Sequence, residues 1–445
     1  MSIHFGDGPE IQAEQSRYRC LLWTAAAFLL FVSAASFQSH SILRRLCEPE
    51  IQSTEAERGV CTLNDFRDAI YFPVAAFLDG KNPYDAVDFM ASYPVGDVFP
   101  PYLPMTLILH LPFGLADFRH AATGYLLLTL LLTILLAWLC LKLADLPARW
   151  CWVFALGTLF LLSRPGQRNL SLGECTVTVG VGVAMALLYI QKPVLGGIGL
   201  GLACYKPTYG IPLVLLFLAQ GYFLTAFAGV CVAGILSLCA VYFLVVHSGG
   251  LQPFLESLFK GHAWAEERWV SSPATSPGRI DLKGVLGRLL QVDPGIMAEI
   301  ILFMLLVGAG AWILRSGVCA GREGRLSARE IALLVLLCLT CLFHQEYDLI
   351  MLFLPLPAFW KMAAESSSRS ERRFAHWVVF LLAVPLFNYL QSVTIQNRLG
   401  IIPGSLSWRM AASINGVFLF AALILLFRSG MTLKALSCPN SRPAS

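Results

Sequence analysis

Asp65, Asp68, Asp79 and Asp85 crowd into one stretch, NDFRDAIYFPVAAFLDGKNPYD, residues 64–85, just after the first apolar segment. Carboxylates held at a membrane surface have two uses. They can take a proton from a weak nucleophile, or they can keep one face of a helix wet. On a wheel of about 100° per residue, Phe66, Ile70, Pro73, Val74 and Phe77 share one arc, and Asp65, Asp68 and Asp79 the opposite one. The spacing predicts an amphipathic helix lying at the membrane interface. Asn64 is its expected cap and Pro73 its expected break. Gly80 is a left-handed end, and Asn82-Pro83 a turn. YPVGDVFPPYLP, residues 93–104, follows in the same loop; its prolines stiffen the chain and can hold side chains still.

Other groups stand out by position. Lys206 sits at the "YKP" turn between two short apolar runs, a costly place for a charge unless it meets an anion. A lysine snorkelling from a helix end is the plainer alternative. Arg164, Gln167 and Arg168 occupy a short polar loop, SRPGQRNLSLGE, where anchoring at the interface is the alternative role. His344, Tyr347 and Asp348 share another short loop, in which His344 can equally be an ordinary interface histidine. GHAWAEERWVSSPATSPGRID, residues 261–281, carries Trp264 and Trp269, for which an aromatic belt is the plainer role, with Glu266, Glu267 and Arg279 beside them. No CxxC or HExxH spacing occurs, so no metal site is read locally.

The elements that must position these groups are helices in oil. The chain of 445 residues is 57% hydrophobic and 13% charged, against about 25% charged for soluble domains. Apolar runs of bilayer-crossing length recur without period-2 alternation. The class is therefore an all-α polytopic membrane protein, read as a single integral membrane domain over 1–445. The first span is expected at Cys20–Ser36, with Arg17 and Arg19 favouring a cytoplasmic N-terminus; a signal peptide cleaved at "VSAAS" is the competing reading. Residues 102–116 are too short and proline-rich for a span and read as re-entrant. Further spans are expected at 120–143, 150–163, 174–191, 193–205, 207–221, 222–247, 298–315, 330–343, 349–363, 376–391 and 411–428, about twelve in all. The pair across 193–221 is short enough to be a shallow hairpin or a broken pair.

Basic residues orient the loops. Arg315, Arg322, Arg325 and Arg329, then Lys361, Arg369, Arg372 and Arg373, and finally Arg428, Lys434 and Arg442, mark an inner face. That places 37–101, 164–173, 248–297, 344–348 and 392–410 on the outer face, with 429–445 as a cytoplasmic tail. Most of the 13 cysteines lie in apolar runs as small fillers. Cys47 and Cys61 share a polar loop and can pair in an oxidising compartment. The net charge of +4 is small and directs nothing by itself.

DFRDAIYFPVAAFLDGKNPYD and FPPYLPMTLILHLPFGLAD together resemble the first outer loop of the GT-C superfamily of membrane glycosyltransferases. The nearest likeness is to glycosyltransferase family 87, the polyprenyl-phosphate-mannose-dependent mannosyltransferases. SRPGQRNLSLGE, GLACYKPTYGIPLVLL and FHQEYDLIMLFLP fit in the same order, so the resemblance spans residues 64–355. It implies a GT-C-like helical bundle with outer-face loop helices and the active site at the outer, periplasmic face of the plasma (inner) membrane. It implies inverting transfer of a hexose from a polyprenyl-phosphate-linked donor to a lipid or glycan acceptor, with no cofactor and no nucleic-acid partner.

The resemblance gives the residues roles. An aspartate of the first outer loop is the expected general base: Asp68 by its spacing to AAFLDGKNPYD, Asp65 by the "DF" dipeptide. The chain departs from the family pattern in reading "AIYF" where a pair of aromatics is usual. Lys206, His344, Arg164 and Arg168 are expected to hold the donor phosphate. Gln167, Tyr84, Tyr347, Asp348, Trp264 and Trp269 are expected at sugar or acceptor, the two tryptophans by stacking on sugar rings, and Glu266, Glu267 and Arg279 as acceptor contacts. The rival function is a lipid or solute transporter. A transporter buries ionisable groups at mid-membrane and often carries inverted repeats; here the ionisable groups lie in loops on one face.

Overall fold

The computed structural model describes residues 9–47, 63–267, 271–315 and 325–437. They form helices joined by turns; among them the β-structure is one isolated antiparallel bridge, Arg279 to Gln345. Six helices are long and apolar enough to cross a bilayer: Tyr18–Arg44, Phe118–Leu143, Phe223–His247, Gly295–Arg315, Arg369–Gln391 and Leu406–Gly430. A pair bent by 40°, Glu346–Phe353 with Leu356–Glu365, makes a seventh if counted as one span. This is a multi-pass membrane protein, but with six or seven such helices among the described residues rather than the dozen expected. Four apolar runs form Trp150–Leu162, Thr176–Leu188, Pro193–Ala203 and Pro207–Ala219. At 1.5 Å per residue these reach roughly 17–20 Å, short of the ~30 Å hydrocarbon core.

The short helices pack through glycine. A Cβ on Gly182 would come within 2.8 Å of the Ala203 nitrogen, and one on Gly199 within 2.5 Å of the Ala186 nitrogen. Backbones in apolar surroundings approach this closely only where side chains are absent. The contact holds Thr176–Leu188 against Pro193–Ala203, and so fixes Thr176 relative to the 204–206 turn.

The N-terminal helix runs unbroken from Pro9 to Cys47, so "VSAAS" lies inside it. Phe31 is buried against Gly157 and Phe154 of the Trp150–Leu162 helix. Cys61 and the Cys47 side chain lie outside the described residues. Beyond residue 428 the chain continues the helix Leu406–Ser437 where the sequence suggests a tail.

The aspartate helix forms with two corrections. Leu63, at φ 61°, starts it rather than Asn64, which lies inside the helix and caps nothing. No break occurs at Pro73. The chain runs Asn64–Phe66 as α-helix, Arg67–Tyr71 as π-helix and Phe72–Leu78 as α-helix again. Proline cannot donate and crowds the carbonyl four residues back; the wider π turn, closed by Phe72 N–H to the Arg67 carbonyl, takes up the misfit. Gly80 ends the segment at φ +75°, as expected. Phe66, Ile70, Val74 and Phe77 are buried, but so is Asp68, and Asp65 is half-buried. At Asp65 and Asp68 the acidic face of this helix therefore meets protein; Asp79 is exposed, as the wheel suggests.

Loops 63–104, 163–175, 204–206 and 343–348 meet at one end of the bundle. At the other end Asp145 receives Arg325 at 3.0 Å and Lys361 at 3.6 Å. That contact gathers the loops after residues 143 and 324 and the end of Leu356–Glu365 on the opposite face.

Candidate active site

Chain segments distant in sequence build the site, and a glycine sets the first contact. Gly173 closes the helix Arg164–Leu172 at φ +69°, where a side chain is strained. A Cβ there would sit 2.5 Å from that of Phe66. Leu63 N–H donates to the Ser171 carbonyl at 2.9 Å. Phe66 is anchored among Phe113, Phe118 and Tyr125. Together these lay the start of the aspartate helix on the 171–174 turn, with Asp65 against Glu174. Gly173→Ala is expected to cost about 1–3 kcal/mol, from the strained backbone, and to lift Asp65 away. A thermal midpoint and transfer rate equal to those of the unaltered chain would refute this.

Lys206 is the hub. Its Nζ lies 2.5 Å from Glu174 Oε1 and 3.2 Å from Asp348 Oδ1, and donates to Thr176 Oγ1 at 2.8 Å. It also stands 4.7 Å from the centre of the Tyr347 ring. Thr176 Oγ1 in turn donates a hydrogen bond to Asp348 Oδ1 at 3.0 Å. Tyr102 donates to Glu174 at 3.3 Å. Asp348 Oδ2 meets His344 Nδ1 at 3.1 Å and accepts from the Gln345 backbone at 3.0 Å. Lys206, Glu174, Asp348 and His344 are each at most 5% exposed. His344 Nε2 is buried without a hydrogen-bond partner among the described residues, and the Tyr209 ring lies 4.3 Å from the imidazole.

The two candidate bases have different surroundings. Asp68 is gripped by its neighbour Arg67, at 2.6 and 3.0 Å, and by the Gly96 N–H at 3.3 Å. A Cβ on Gly96 would come within 2.8 Å of that guanidinium. Asp65 instead faces the Lys206 cluster. Burial pushes its carboxyl well above the ordinary carboxylate range. The charge of Glu174 and a hydrogen bond with it push the same way; Lys206 and Arg168 only partly offset them.

A second cationic group lies beside the first. Arg168 Nε is 2.7 Å and Arg164 Nη2 3.3 Å from the same oxygen, Oε1 of Glu346. Two guanidiniums thus share one carboxylate oxygen, leaving a positive excess with donors to spare: Arg164 Nε is buried without a hydrogen-bond partner among the described residues. Arg164, Gln167, Arg168 and Ser171 line a cavity of about 200 Å³, closed on its far wall by Gln38, Ser41 and Ile42 of the N-terminal helix. Gln167 also donates to the Tyr389 hydroxyl at 3.1 Å. Asn169 ties this loop to the Tyr347 carbonyl at 2.9 Å.

The remaining expected residues are placed elsewhere. Tyr84 is buried and donates to the Tyr102 carbonyl at 2.7 Å, so it braces the loop. Arg279 is also a brace and not an exposed acceptor contact: it is buried, pairs with Asp281 at 2.7 Å and lies over Phe343. Trp264 and Glu267 are exposed. Trp269 and the Glu266 side chain lie outside the described residues. Glu174, Thr176, Tyr102 and Glu346 belong to the site without having been singled out. For Glu174 a signal was available: a carboxylate set directly before a long apolar run needs a partner. Among the described residues, no group of three or more His, Cys, Asp or Glu is placed to hold a metal ion.

A family model, glycosyltransferase family 87, matches residues 99–344, more than half of the chain. The chain belongs to glycosyltransferase family 87. No curated protein and no solved structure matches it. The matched segment holds Tyr102, Arg164, Arg168, Glu174, Lys206 and His344; Asp65 and Asp348 join them from outside it by the folding just described. A glycosyltransferase requires a sugar donor and an acceptor, and membership of this family gives the transporter reading no support.

Proposed function

We propose that this glycosyltransferase moves a hexose, mannose by its resemblance, from a polyprenyl-phosphate carrier to an acceptor hydroxyl with inversion at the anomeric carbon. The observation that carries the proposal is the juxtaposition of Asp65, set against Glu174 and the Lys206 cluster, and an arginine-lined cavity at the same bundle end. Asp65 takes the acceptor's proton as the hydroxyl oxygen bonds to the sugar. The bond to the phosphate breaks with its electron pair on the phosphate oxygen. Arg164 and Arg168, holding donors beyond those Glu346 uses, receive that charge. Lys206 supports the carboxylates around the reaction centre, and His344 Nε2 is a free position for a sugar or phosphate oxygen. The polyprenyl tail runs along the N-terminal helix, where Phe37 and Leu43 are exposed next to the cavity wall.

The proposal places this end at the outer face of the plasma membrane. The short helices fit it: Thr176–Leu188, Pro193–Ala203 and Pro207–Ala219 follow one another with Lys206 at the site end. Thr176–Leu188 is mostly buried in the protein, while Pro193–Ala203 and Pro207–Ala219 keep exposed apolar residues, Val194 and Ile211 among them; counted as crossings, the three bring the total to nine or ten. Purified protein given polyprenyl-phosphate sugars and an envelope lipid extract should yield an acceptor heavier by one hexose. Arg168→Gln should raise the donor KM about 10- to 100-fold, the loss of one charged hydrogen bond. Transfer from nucleotide sugars alone would overturn the donor assignment.

A further inference from the structure

At the opposite end of the bundle the helix Arg369–Leu386 presents a stripe that the glycosyl-transfer reading leaves unused. Arg369, Arg372, Arg373, His376, Trp377 and Phe380 line an open groove of about 500 Å³. Their spacing of three and four residues puts them on one face. All six are exposed. The helix's one acid, Glu371, is turned away toward Arg329, 3.7 Å distant. Among the described residues no carboxylate pairs with the three arginines. The stripe is also graded. Cations occupy the first two turns, at the end where Lys361 and Asp145 meet. Trp377 and Phe380 follow one and two turns deeper, with ring centres 5.9 Å apart. The helix lies within a candidate span, Arg369–Gln391, so the arginines fall at headgroup level and the aromatic rings beside acyl chains.

We propose that this groove binds an anionic diacyl phospholipid, phosphate on the arginines and acyl chains along Trp377 and Phe380. Charge alone would suit any anion. The aromatic continuation into the bilayer selects the lipid. The bound lipid pins a helix whose buried side packs on Leu356–Glu365, on Leu406–Ser437 and on the Glu346–Phe353 segment that carries Asp348. Its effect is thus felt as stability of that whole corner.

The test uses the full chain in phosphatidylcholine nanodiscs, with or without phosphatidylglycerol, and reads retained lipid by native mass spectrometry alongside the thermal midpoint. Phosphatidylglycerol should be retained and should raise the midpoint. Each arginine at a surface strengthens anionic-lipid binding about fivefold, so Arg369→Gln/Arg372→Gln/Arg373→Gln should weaken retention roughly 100-fold and erase the rise. The midpoint in pure phosphatidylcholine should not move, because these side chains are exposed. Trp377→Ala/Phe380→Ala should weaken retention as well. Equal retention by the triple variant would overturn the proposal. So would an equal rise from glycerol phosphate in solution, which would make the groove a simple anion site.

Discussion

Asp65→Asn is expected to lower the transfer rate by about 10²- to 10⁴-fold, the usual contribution of a positioned general base, with the fold intact. The amide is nearly the same shape and can still donate to Glu174, so the hydrogen bond that seats Asp65 survives. What goes is the ability to accept a proton. The pH profile separates this from a packing defect. Because burial and then Glu174 raise the Asp65 carboxyl, the group is protonated in acid and inactive. Activity should rise as pH climbs through this raised value, so the acid limb should stand above the ordinary carboxylate range. The two carboxyls share a hydrogen bond, so the limb belongs to the pair. Glu174→Gln removes one negative charge beside Asp65, which lowers its proton affinity and should move the limb toward lower pH. Asp68→Asn is the comparison. Its carboxylate is held by Arg67 and Gly96, so the change should loosen the 93–98 loop and leave the acid limb in place. An intact rate in Asp65→Asn together with a lost rate in Asp68→Asn would transfer the base to Asp68.

The two aspartates also show what a helical wheel can and cannot say. The wheel correctly grouped Phe66, Ile70, Val74 and Phe77 as the packed face. It assigned the opposite arc to water because periodicity records only whether a neighbour is apolar, not what the other face touches. At Asp68 and Asp65 that face is covered by residues about 30 and about 110 positions later, Gly96 and Glu174, which no local pattern links to it. The span count failed for a related reason. An apolar run signals that a helix avoids water but not whether lipid or protein surrounds it, and helices packed through Gly182 and Gly199 need not match bilayer thickness. Lys206 was legible because a lone cation between apolar runs is costly wherever it lies. Its partners were not, since Glu174, Asp348 and Thr176 come from two other segments.

Lys206→Met should be the most disruptive single change in the cluster. The sequence suggests that Lys206 meets the donor phosphate, so that Lys206→Ala would weaken donor binding more than acceptor binding. The structure gives its Nζ other work first: Glu174 at 2.5 Å, Asp348 at 3.2 Å and Thr176 at 2.8 Å. Methionine keeps most of the stem and removes the charge, leaving two buried carboxylates facing each other. Breaking a buried ion pair from one side costs about 3–5 kcal/mol. The thermal midpoint should therefore fall, and transfer should be lost with it. The decisive variant restores charge balance. Lys206→Met with Glu174→Gln and Asp348→Asn should recover most of the midpoint, because neutral amides bury more cheaply than carboxylates, yet leave transfer lost. That split would place the role of Lys206 in organising the carboxylates around Asp65. A midpoint unchanged in Lys206→Met, with only the donor KM raised, would return the lysine to the phosphate.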